Sequence, residues 1–406
     1  MPRAAPIWVT LVVCSALYAQ EQPGGRIALW DSLREKKAEN LRPPVRSGLE
    51  KALYEIREQH VLERLMAGWH GFHPTFGGLH TGSGFALGTE WRQQRLGGGL
   101  FDVRFGARAS FKAYQKYEVQ VAMPRLLNER LFLDFTTTHR DFPQEDYFGL
   151  GPDSRQQDRS NFRLEDTTMI GTVGLRGWRK RLAIGFRGGV VDLNIGRGTD
   201  RRFPTVERVF NPSDTPGLDQ HPDYYQFEAF AQMDWRDEPG NPRSGGNYLV
   251  EWNTFGDRDL ARFSFRRYEA EIQQYVPFFN RRRVFAFRGK TVLTDTGSGH
   301  AVPFYMMQTL GGSEDLRGFR EFRFRDNNLM VMNLEYRWEV FSGMDMALFG
   351  DAGKVFPRRD DLDLEDLEAA YGVGFRFNQA KSVFLRIDIG KSHEGLRFFF
   401  KFGHVF

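Results

Sequence analysis

Cysteine is almost missing from this 406-residue chain: its one copy is Cys14, inside an N-terminal leader-like stretch. Beyond that stretch no disulfide or thiolate chemistry is available, although this alone does not identify a compartment. Long apolar runs are missing too. After the N-terminus no stretch of about 18–20 apolar residues occurs, which excludes transmembrane helices. The nine histidines show no metal-ligand spacing such as H-E-x-x-H, and no distinctive Ser/His pair of a barrel lipase stands out. No metal, no cofactor and no enzymatic activity are therefore expected. The net charge of +4 is drawn from 56 basic and 52 acidic residues and gives no basis for nucleic-acid binding.

What is abundant is aromatic and small: 38 Phe, 13 Tyr, 8 Trp and 43 Gly. Together with a mean hydropathy of −0.50, this suits a barrel whose strands turn one face to lipid and the other to a wet interior. A soluble β-sandwich shares some of these features. Residues 1–19 read as a signal peptide, with Arg3 as its positive start, Ile7 to Leu17 as its apolar core and Ala19 before Gln20-Glu21-Gln22. Val13 before Cys14 is a poor match to a lipoprotein signal. The chain is expected to be exported.

Residues 20–68 form a separate periplasmic segment. Val45, Leu49, Leu53, Ile56 and Leu65 recur at helical spacing after Pro43-Pro44, predicting an amphipathic helix, either a spacer or an element that meets the barrel mouth or a partner over 45–66. From residue 69 to 406 the period becomes two. Met330, Met332, Leu334, Tyr336, Trp338 and Val340 alternate with Asn333, Glu335, Arg337 and Glu339. Phe398, Phe400, Phe402 and Phe406 alternate with Arg397, Lys401 and Gly403. The spacing predicts sixteen strands: 72–79, 84–93, 100–111, 114–124, 130–141, 161–175, 181–192, 223–235, 246–256, 262–276, 283–294, 328–341, 344–354, 368–378, 382–392 and 396–406. The first is short and holds Pro74; the tenth changes phase between Phe265 and Tyr268, which predicts a bulge. Strand parity puts the long connections 142–160, 193–222, 295–327 and 355–367 on one side. That asymmetry is expected of a transmembrane β-barrel in an outer membrane. The fold class is therefore an all-β membrane protein, a 16-stranded antiparallel barrel, in contact with outer-membrane lipid and lipopolysaccharide.

Two motifs stand out. Gly311-Gly312-Ser313-Glu314-Asp315-Leu316-Arg317-Gly318-Phe319 lies in the longest late connection, and Phe349-x-Asp351-x-Gly353 lies on the next strand but one. Asp351 shares parity with Phe349 and Gly353 and points inward. If the loop folds in, the planar guanidinium of Arg317 meets that carboxylate bidentately. Phe319 then packs on the wall, and Gly353 leaves room for the loop. Rows such as Arg337, Arg376, Arg386, Arg397 and Lys401, offset by Glu335, Glu339 and Asp388, either line a channel or fill the interior with ion pairs. The acidic run Asp360 to Asp366 reads as a solvated loop or a cation site bridging lipopolysaccharide.

These motifs, with Asp234-x-x-Asp237 and Pro242-x-x-Gly245 at one turn and a Phe-rich end at Phe406, resemble the barrel of the BamA/TamA-like bacterial surface antigen superfamily over about residues 70–406. The resemblance implies an inward loop tipped by Leu316, Arg317, Gly318 and Phe319, and a periplasmic turn built on Asp234, Asp237, Pro242 and Gly245. It also implies a C-terminal signal (Phe398, Phe400, Phe402, Phe406) read by the barrel assembly machinery. The function implied is insertion or translocation of proteins or lipids at the outer membrane. The family's usual POTRA modules do not fit in residues 20–68, so a member lacking them is expected. The alternative is a passive pore or structural barrel in which the Arg317 loop is only a stabilising plug.

Overall fold

Period-two patterning becomes sixteen paired strands. The computed structural model describes residues 33–37, 48, 69–79, 82–379, 382–403 and 406. The chain divides into two compact units, Met1–Leu49 and Glu50–Phe406. In the first, residues 33–37 are helical. The expected signal peptide and, Gly48 apart, the expected helix at 45–66 lie outside the described residues.

The second unit is a nearly closed antiparallel barrel. Its strands are β1 (Phe72–Gly77), β2 (Ala86–Arg95), β3 (Phe101–Ser110), β4 (Gln115–Arg125), β5 (Leu131–Tyr147), β6 (Ser160–Gly177), β7 (Leu182–Arg197), β8 (Tyr224–Asp234), β9 (Gly245–Asp257), β10 (Phe265–Phe278) and β11 (Arg283–Thr296). A small hairpin, β12 (Gln308–Leu310) and β13 (Phe324–Asp326), forms its own sheet. The barrel resumes with β14 (Asn328–Phe341), β15 (Met344–Phe356), β16 (Glu368–Gln379), β17 (Ser382–Ser392) and β18 (Gly395–Phe402). Each pairs with its neighbour in order, β11 with β14. No ladder joins β1 to β18 among the described residues. That seam is held by side chains, with Phe402 against Gly77 and Phe85.

Alternation separates the faces. Leu334, Leu348, Phe398 and Phe400 are exposed, while Asn333, Glu335, Asp351, Arg386 and Asp388 are buried. An exposed apolar row backed by a polar interior is the pattern of a strand facing lipid. Short turns gather at one end of the barrel and long connections at the other. There, Tyr147, Phe162, Val206, Leu218, Tyr224, Phe304 and Tyr305 form the main apolar cluster, which draws together strand ends and the loops above them.

This cluster explains two departures from the predicted strands. β5 and β7 run on to Tyr147 and Arg197 because loops cover their inner face, so inward Leu193 and Ile195 are apolar and polar-in alternation fails. The same cause removes the bulge expected in β10. Its register with β9 and β11 is unbroken from Phe265 through Tyr268. Phe265 simply faces inward into the cluster while Tyr268 faces out. Register shifts occur instead at Phe142/Glu145, Glu339/Phe341 and Phe377/Asn378.

Candidate functional site

The connection between β11 and β14 lies against the inner wall. Gly311 and Gly312 (φ 122° and 94°) turn the chain at the end of β12. Leu316 and Phe319 then point into an apolar cluster with Val292, Leu310, Phe324, Val331, Val355 and Ala370. Arg317, between them, is fully buried and takes the polar direction.

Its guanidinium is held on three sides. Nε and Nη2 donate to Oδ2 and Oδ1 of Asp351 at 2.8 and 2.7 Å, the bidentate pairing expected. The main-chain N–H of Arg317 donates to the same carboxylate at 3.1 Å. Nη1 donates to Glu335. The ring of Phe349 lies 3.6 Å from the guanidinium carbon, a cation–π stack. Phe349 and Asp351 are two residues apart on β15, so the period of the strand places ring and carboxylate on one face.

The pair belongs to a larger cluster. Glu335 also accepts from Arg337 Nε at 2.6 Å and from Arg376 Nη2 at 3.0 Å. Asp388 accepts from Arg376 Nη1 at 2.6 Å and lies 2.9 Å from Arg386 Nε. Asn333 bridges Asp351 to the loop by donating to Asp351 Oδ1 and to the Asp315 carbonyl. Arg386 Nη2 donates to the Ser313 carbonyl, and Ser392 Oγ to that of Gly318, both at 2.8 Å. Arg288 binds Asp315 and Glu271. Of the two readings left open for the inward rows, the ion-pair network is the one formed around Arg337, Arg376 and Arg386. The alternating charges pointed to these residues, but nothing in their spacing showed that all converge on one loop arginine.

Small residues let the loop approach. A Cβ on Gly390 would stand 2.8 Å from the Arg317 carbonyl carbon and oxygen, and one on Gly318 would stand 2.9 Å from the Ala370 Cβ. Gly318 also has φ 123°, which other residues avoid. Gly353 has a different job from the one expected. Its missing Cβ would meet Met330 O at 2.6 Å, so it fits β15 to β14 rather than clearing the loop. Gly390 on β17 clears the loop instead, and no motif marked it.

The turn motif closes the other end. Asp234 holds Arg236 bidentately, and Asp237 accepts the amides of Glu238, Arg243 and Ser244. Burial works to raise the Asp237 pKa, but those amides outweigh it and hold it below the usual carboxylate value. Pro242 is buried, and Gly245 (φ 95°) packs against the Trp235 carbonyl. From here the chain reaches strands beyond its neighbours: Arg243 binds Asp345 on β15, and the Gly240 carbonyl accepts from Val383 on β17. At the chain's Phe-rich end, Phe398 and Phe400 face outward as expected. Phe406 leaves that row. The ladder of β18 ends at Phe402, and Phe406 is buried with Tyr275, Val284 and Ala286, beneath Arg337. Its main-chain oxygen accepts from Tyr275 Oη at 2.5 Å, a polar anchor that draws it inside.

Among the described residues no group of His, Cys, Asp and Glu is arranged to hold a metal ion. No curated protein sequence matches the chain. Among solved structures it is similar to BamA from Haemophilus ducreyi lacking POTRA domains 1–3 (TM-score 0.62, 15% identity, covering 83% of this chain and 71% of that one). It is also similar to CdiB from Escherichia coli (TM-score 0.54, 13% identity, 83% of this chain and 63% of that one). At such identities the likeness speaks for the fold. Residues 99–406 match the model of the Omp85 superfamily domain, and with that match over most of its length the chain belongs to the Omp85 superfamily, whose barrels are proteins of outer membranes.

Proposed function

We propose that this barrel inserts or translocates proteins or lipids at the outer membrane, with the Arg317 loop as its internal latch. The observation that carries this reading is the Arg317–Asp351–Glu335 junction inside a barrel whose first and last strands share no ladder among the described residues. A barrel meant only to stand in the membrane gains from a closed ring of strands. Here the wall is left unzipped, and the loop is fastened to β14, β15 and β17, on the β18 side of the seam. The partners in this reading are lipid and lipopolysaccharide on the apolar band, the barrel assembly machinery at the row of Phe398, Phe400 and Phe402, and, from the sequence pattern, a periplasmic protein at residues 45–66. With Cys14 the sole cysteine, a seam disulfide is a direct test; Gly77 has φ 130°, where a side chain is strained, so the reduced form of the same variant is the reference. An ideal Cβ at Gly77 lies 3.4 Å from the Cβ of Phe402, near the usual disulfide range of about 3.5–4.5 Å. Gly77→Cys with Phe402→Cys, oxidised, is expected to stop the chain from speeding the folding of an unfolded small outer-membrane barrel into liposomes, and reduction should restore it. Full activity in the oxidised form would sink the insertase reading.

The passive-pore alternative predicts a different result. The aromatic cluster and the inward loop occupy much of the barrel toward its long-loop end, so planar bilayers with the wild-type protein should show no large, stable conductance. Steady large channels would favour a pore.

A further inference from the structure

A charged chamber lies at the long-loop end of the seam. It has a volume of about 210 Å³ and is walled by Gly82 beyond β1, by Arg397 and Phe399 of β18, and by Arg320 of the loop. Five cations face it, Lys112, Arg159, Arg202, Arg320 and Arg397, against three acids, Asp146, Asp200 and Glu321. Two of the acids are taken: Arg159 binds Asp146 at 2.8 Å and Arg202 binds Asp200 at 2.7 Å. Lys112 donates to the Gly82 carbonyl at 2.8 Å. The third acid, Glu321, accepts from Ser313 through Oε1, and burial lifts its pKa to about 7 against the pull of Lys401. It is therefore only partly charged at neutral pH.

Neither Arg320 nor Arg397 has a carboxylate at ion-pair distance among the described residues; Asp146 and Glu394 act on Arg320 from farther off while paired with Arg159 and Arg323. The two arginines converge on one neutral acceptor. With the Gln156 amide turned toward them, its oxygen accepts from Arg397 Nη2 at 2.8 Å and from Arg320 Nε at 3.2 Å. Arg397 Nε is buried and has no hydrogen-bond partner among the described residues. Burial, and then the neighbouring Arg397 and Arg159, hold the Arg320 guanidinium below its ordinary pKa. Two guanidiniums thus stand together around an uncharged oxygen, beside a space with room for several waters at about 30 Å³ each.

We propose that this chamber binds a phosphate group between Arg320 and Arg397. Each guanidinium presents a planar fork that matches phosphate oxygens bidentately. A dianion between them replaces repulsion with attraction. The phosphate comes either free from solution or on a lipid headgroup, for which the unzipped seam beside the chamber offers a side entry.

The test uses the full chain folded in detergent. Inorganic phosphate is titrated at constant ionic strength against chloride and followed by ³¹P line broadening. In a second arm, binding to vesicles carrying lipid A is compared with binding to vesicles carrying its dephosphorylated form. Saturable binding in either arm is expected, and Arg320→Gln with Arg397→Gln should weaken it by about tenfold or more. Gln156→Glu keeps both arginines and supplies a carboxylate between them. It should abolish phosphate binding, and it serves as the test if the double variant folds poorly. Binding in the free-phosphate arm assigns a soluble ion, and binding in the lipid arm alone assigns a headgroup. No saturable binding in either arm, or binding unchanged by Gln156→Glu, overturns the proposal.

Discussion

Asp351→Ala is expected to destabilise the folded barrel more than Arg317→Ala, although the two residues form one ion pair. Removing either partner of a buried pair costs roughly 3–5 kcal/mol, because the other charge is left unmatched. Charge balance then separates them. Four guanidiniums (Arg317, Arg337, Arg376, Arg386) are directly ion-paired with three carboxylates (Glu335, Asp351, Asp388). Losing Arg317 leaves three against three. Losing Asp351 leaves four against two, and it strips acceptors from Nε, Nη2 and the main-chain N–H of Arg317 together. The Arg288 group, beyond Asn333, carries acids of its own but makes no ion pair with this cluster.

Urea midpoints of the protein in micelles, or the temperature at which the folded band converts on a gel, give the ranking directly. Wild type should stand above Arg317→Ala, and Arg317→Ala above Asp351→Ala. The double replacement Arg317→Met with Asp351→Leu should recover much of the loss, since apolar groups of similar size often substitute for a buried pair without penalty. If such a stable double variant also keeps wild-type activity, the junction is a staple rather than a latch. Wild-type stability in both alanine variants would remove the junction from any structural account.

The barrel was legible in sequence for one physical reason. Where a strand has lipid on one side and a wet interior on the other, every second residue records its surroundings, as Leu334 and Leu348 do against Glu335 and Asp351. Legibility fails where a strand loses that contrast. The upper part of β7 is apolar on its inner face because loops cover it, and Phe265 looked like a slip of register for the same reason. Phe406 kept the parity of an outward row but is drawn inside by Tyr275. Arg317 and Asp351 could be matched because each sits in a distinctive local motif. Glu335, Arg376 and Asp388 lie on ordinary strands, and their convergence depends on the curvature of the wall, which no local pattern records.

Gly390 shows the same limit and allows the loop to be moved without touching a charge. Gly390→Val is expected to lower the unfolding midpoint by an amount equivalent to about 1–3 kcal/mol, the usual cost of overpacking. The new Cβ would stand 2.8 Å from the Arg317 carbonyl group and 2.9 Å from the Gly318 nitrogen, both main chain, so no rotamer change relieves the clash. The segment from Leu316 to Phe319 must lift from β17, taking the Ser392–Gly318 hydrogen bond with it. Valine itself suits a strand, so harm to β17 alone is not expected. Gly350→Val is the matched control: it lies on β15, is exposed on the outward face, and has nothing within 4 Å of its missing Cβ, so its midpoint should hold. The decisive measurement is the combination of Gly390→Val with Asp351→Ala. If Gly390 acts by seating the loop, the double variant loses less than the two single losses added, because a loop already displaced has no ion pair left to break. Strict additivity would mean that Gly390→Val disturbs the sheet and leaves Arg317 where it is.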